Sequence, residues 1–151
     1  MPCPDPNVIN EALATGVVGD VEGGLLLLQP IVNDGPAETF AMLSALAEVA
    51  ARQAVAVAPG TFFGIEVDGP DGPGTASIDV LPPSLRFAAQ FINACANKDR
   101  QMAHALFWAL AEPSDRDGTP ALAEGVGAVF LMAVQTAREI VAQQRRLREG
   151  Q

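Results

Sequence analysis

Few side chains in this sequence could do acid–base or nucleophilic chemistry near neutral pH: one His, one Lys, two Cys and no Tyr. That inventory removes most nucleophile–base combinations at once. His104 is the one side chain whose ordinary pKa suits proton transfer at pH 7. It stands between Ala103 and Ala105, one residue off an apolar helical stripe, which reads as a surface or boundary position. To act, it would need a carboxylate such as Asp79 or Glu112 brought to it by the fold. Cys3 lies in a Pro-rich stretch and Cys95 in an Ala-rich helical pattern. They supply neither a disulfide framework nor metal-ligand spacing, and Cys95 reads as a small buried hydrophobe.

The familiar motifs are missing. No Ser sits in a G-x-S-x-G turn, no phosphate-binding Walker sequence occurs, and no His or Cys pair has metal spacing. Gly125-Val126-Gly127 begins like a dinucleotide loop, but it lacks the third Gly and follows a polar stretch rather than a strand. Its reading is a place where another helix comes close. Asp68 and Asp71 offer two carboxylates where calcium needs six to eight oxygens, so they read as a turn. Trp108, next to Phe107 and near Leu110, reads as the edge of a core. No catalytic residue, no metal and no cofactor is expected, and a non-enzyme is favoured over an enzyme.

Charge narrows the partners. The net charge is −9, yet residues 1 to 137 hold five basic against sixteen acidic side chains, while 138 to 151 hold four Arg against two Glu. An acidic body gives phosphates little to bind, so nucleic acid is not expected as a partner. Apolar runs such as Leu25 to Leu28 and Val126 to Val134 fall short of the ~20 residues that span a bilayer. The first residues lack the basic-then-apolar pattern of a secretory signal. The expectation is a cytoplasmic protein without a membrane partner. At 151 residues and 49% apolar, one domain over 1–151 can bury a core of its own.

The elements that would position these residues follow from punctuation and period. Residues 1–24 mix Pro, Gly and Asn with a short apolar piece, and are expected to be poorly structured, with at most a brief helix. Leu25 to Val32 is a continuous apolar run bounded by Gly23-Gly24, which suits a buried strand with Pro30 near an edge. Asn33-Asp34-Gly35-Pro36 starts a helix that runs to about Val57. Phe62 to Val67 and Thr75 to Leu81 alternate apolar and polar around a Gly/Pro/Asp turn, the pattern of a β-hairpin. Helices follow from Pro82-Pro83-Ser84, and from Asp99 as a cap. Glu112 to Thr119 reads as a polar loop, and a last helix runs from about Pro120 to Arg148. The expected fold class is α+β: about four main helices around a small antiparallel hairpin or three-stranded sheet.

That last helix carries the strongest functional hint. Twenty-nine residues at 1.5 Å span about 43 Å, against about 38 Å for a globule of this chain length. Its end must overhang or be covered. Ala133, Ala137, Ile140, Gln144 and Leu147 continue one stripe while Arg145, Arg146 and Arg148 gather at the terminus. The expected function is an interaction or accessory protein that self-associates, as a homo-oligomer, or binds a protein partner through Ala137, Ile140, Leu147, Arg145, Arg146 and Arg148. The alternative is a small-molecule-binding protein or enzyme with a pocket near His104.

Overall fold

The computed structural model of the chain describes residues 5–57, 83–117 and 121–150. Its elements are six helices: α1 (Pro6–Val17), α2 (Val21–Asn33), α3 (Pro36–Val57), α4 (Pro83–Ala96), α5 (Arg100–Asp117) and α6 (Ala121–Glu149). Among the described residues there is no strand, so the architecture is all-helical and not α+β. The expected hairpin, Phe62 to Leu81, lies outside the described residues.

The stretch expected to be the first strand is α2. Asp20 caps it by accepting from the Gly23 amide at 2.9 Å. Its buried face is Gly24, Leu28 and Ile31, with Val21 partly buried, a spacing of three and four that belongs to a helix. Gly24 adds nothing to a hydropathy pattern, so the apolar run looked continuous where the inward face is helical. Pro30 deprives the Leu26 carbonyl of its helical partner, but both residues are exposed and water can serve that oxygen. Residues 1–24, expected to be poorly structured, contain α1 and the start of α2. Asp5 accepts from the Asn7 amide at 2.9 Å with Pro6 at the first helical position, where its fixed φ suits a helix start.

Two tight connections fold the first three helices against one another. Gly19, at φ +108°, reverses the chain between α1 and α2, and Gly35, at φ +124°, does so between α2 and α3. The start and end of α3 agree with expectation. So do the α4–α5 turn and its cap, where the Met102 amide donates to Asp99 at 3.1 Å. The polar loop expected from Glu112 does not begin there, because α5 continues through Pro113 to Asp117.

α6 is the axis of the bundle and packs against each of the other five helices. Val126, Val129, Phe130, Ala133 and Val134 are buried along it. Although Val126 to Val134 is apolar on every side, not all of it is enclosed: Leu131 is 45% exposed and a Cβ at Gly127 would meet open space. Small residues let the neighbours close in: a Cβ on Gly16 would lie 2.6 Å from Val134, one on Gly24 2.6 Å from the Phe130 ring, and one on Gly125 2.6 Å from Leu110. The backbones of α1 and α2 therefore meet the Phe130 and Val134 side chains directly. A second cluster joins Phe87, Phe91, Phe40 and Phe107 across α3, α4 and α5, with centroids 5.4 to 5.9 Å apart.

Candidate functional site

α6 leaves the body of the bundle at a definite place. Thr136 donates its hydroxyl to the Ala50 carbonyl of α3 at 3.1 Å. Arg138 donates from Nε to the Val17 carbonyl at 3.2 Å and from its terminal nitrogen to the Gly16 carbonyl at 3.0 Å. The Gly16 carbonyl also accepts from the Gly19 amide at 3.0 Å, and a guanidinium on these last carbonyls of α1 meets the negative end of that helix dipole. Beyond this clasp Ala137 and Ile140 are half-buried, and every residue from Val141 to Gly150 is exposed. Leu147 is 71% exposed.

The stripe that crosses this boundary is regular. Val126, Phe130, Ala133, Ala137, Ile140, Gln144 and Leu147 recur at alternating spacings of four and three, the heptad seam of a helix that packs along its length. The chain's own helices bury the seam at Val126, Phe130 and Ala133 and leave it open from Gln144 onward. Among the expected site residues, Ala137, Ile140 and Leu147 lie on this one seam. Arg145, Arg146 and Arg148 are exposed on the projecting end. Arg138 is the residue that anchors the departing helix. Its role depends on α1 ending beside it, and no local pattern signals that.

The region around His104 is different in kind. A cleft of about 320 Å³ between α3 and the α4–α5 turn is lined by Phe40, Ser44, Glu48, Cys95, Lys98 and Arg100. His104 is exposed and lies on its margin, stacked on Phe40 with centroids 4.1 Å apart. Burial, and secondarily the carboxylate of Glu48, push the Cys95 thiol up to about 11, so it stays protonated at neutral pH. Among the described residues no His, Cys, Asp and Glu cluster could hold a metal ion.

α6 is also long and apolar enough, by length and composition alone, to cross a membrane. Its apolar residues from Val126 to Val134 are largely the bundle's own core. Compared with protein-family models, characterised proteins and solved structures, the chain matches none. The fold and the site together define an all-α bundle whose central helix projects beyond it.

Proposed function

We propose that this protein is an interaction module that self-associates through the projecting half of α6. One observation carries the reading: the heptad seam that the chain buries from Val126 to Ala133 is half-covered at Ala137 and Ile140 and runs on, exposed, through Gln144 to Leu147. A solvated helix end gains nothing from apolar residues in register, whereas a second helix laid on them buries each at about 25 cal/mol per Å². The cleft beside His104 supports a ligand less well. Its polar groups line an open depression, and burial keeps its thiol protonated at neutral pH.

The test follows from where the burial ends. Ala137 and Ile140 are half-buried, so charges there would disturb fold and assembly together. Leu147→Glu with Val141→Glu strikes only exposed positions. Sedimentation is expected to show the wild type as a concentration-dependent oligomer and the double variant as a monomer with unchanged helical circular dichroism. A wild type that remains monomeric at every concentration reached would end the proposal.

A further inference from the structure

We infer that the partner of the projecting helix is a second copy lying antiparallel to it, with the arginine end of each copy against the acidic rim of the other. This rests on the self-association proposed above and adds its geometry. Charge selects the occupant. Residues 138 to 151 hold four Arg against two Glu in a chain of net charge −9, and an acidic body of the same kind is the surface such an end is drawn to.

The orientation follows from what stands at each level of α6. Where Arg138 grips the end of α1, the surface carries Asp20 and Glu22 at the start of α2 and Glu139 on α6, all exposed. Val18, 83% exposed, sits there too, one residue beyond the carbonyl Arg138 holds. In an antiparallel heptad pair each seam position faces its complement, so Leu147 of one copy meets Ala137 of the other and Gln144 meets Ile140. That register brings Leu147 to the level of Ala137. It also carries Arg145, Arg146 and Arg148 to the level of Asp20, Glu22 and Glu139. A parallel pair would instead set the two arginine clusters side by side and leave the acidic rim unmet. Gln144 within a seam this short places the pair among weak, concentration-dependent interfaces.

The experiment uses the full chain with Cys3→Ser and Cys95→Ala, carrying Ala137→Cys in one preparation and Leu147→Cys in another. In the antiparallel pair identical positions are ten residues apart along the axis, about 15 Å by helix rise and beyond disulfide reach. Mild oxidation of the mixture is expected to give a covalent dimer whose mass is that of one copy of each variant, with little from either variant alone. Homodimers of each variant, formed as readily as the mixed species, would overturn the orientation in favour of a parallel pair. A wild type that sediments as a dimer yet gives no cross-link in any combination would overturn the seam register while leaving self-association standing. A wild type that is monomeric throughout would remove the underlying proposal as well.

Discussion

At the scale of single residues the clearest strain lies at the α4–α5 turn. Lys98 has φ +59°, the left-handed region that costs an L-residue roughly 1 kcal/mol. It closes α4 in the usual way, with its own amide on the Cys95 carbonyl at 3.1 Å and the Asp99 amide on the Ala94 carbonyl at 2.8 Å. Glycine is the residue that geometry favours, and Lys98 is exposed, so little packing is lost by removing it. Lys98→Gly is expected to raise unfolding stability by about 0.5–1 kcal/mol, read as a shifted urea midpoint with unchanged slope. Equal or lower stability would mean that the lysine's charge at the helix end outweighs the backbone term. The lone histidine, in contrast, is one ring of a surface stack with Phe40. The sequence could show its type and approximate exposure, whereas its partner sits 64 positions earlier on another helix.

At the scale of elements, three glycines that look alike in the sequence have different jobs. Gly24 and Gly125 are buried, with Phe130 and with Leu110 and Phe87 too close to admit a methyl, and the Ala12 carbonyl stands 2.7 Å from where a Cβ on Gly24 would be. Gly127, two residues along α6, faces open space. Alanine is therefore expected to act in opposite directions. Gly24→Ala should cost about 1–3 kcal/mol through overpacking, since backbone cannot yield as a flexible side chain can. Gly127→Ala should gain up to about 1 kcal/mol through helix propensity. Thermal unfolding of the two variants beside the wild type decides it, and a gain at Gly24 would show that α2 does not ride so close to α6. The reading of Gly125-Val126-Gly127 as a close-approach site holds for its first glycine and not its second, because the two lie on different faces of the helix.

At the scale of the whole molecule, the clasp at Thr136 and Arg138 divides α6 into a half that folds the protein and a half that leaves it. Removing residues 141–151 should then leave the bundle's melting temperature within a few degrees of wild type at low protein concentration, since that segment is exposed throughout its described length. The wild type should melt higher as concentration rises, and the truncated chain should not, because association stabilises only what associates. Calorimetry at two concentrations separates these outcomes. A large loss of stability at low concentration would show that the projecting helix serves its own bundle.

What the sequence determined by itself is what local chemistry dictates. The start of α3 at Pro36, its end at Val57, the cap at Asp99 and the length of α6 all follow from punctuation that acts within a few residues. The thin inventory of reactive side chains was equally plain, and it directed attention to the last helix. Tertiary structure decided the rest. Leu25 to Val32 suits a strand or a helix on its own apolar content, and the choice fell to helix because Gly24, Leu28 and Ile31 find Phe130 and the core on one face. Whether the stripe from Ala133 to Leu147 was core or surface could not be read from its period. That depended on where α1 and α3 stop beside it, a fact of packing between segments more than a hundred residues apart in the case of Arg138 and Gly16.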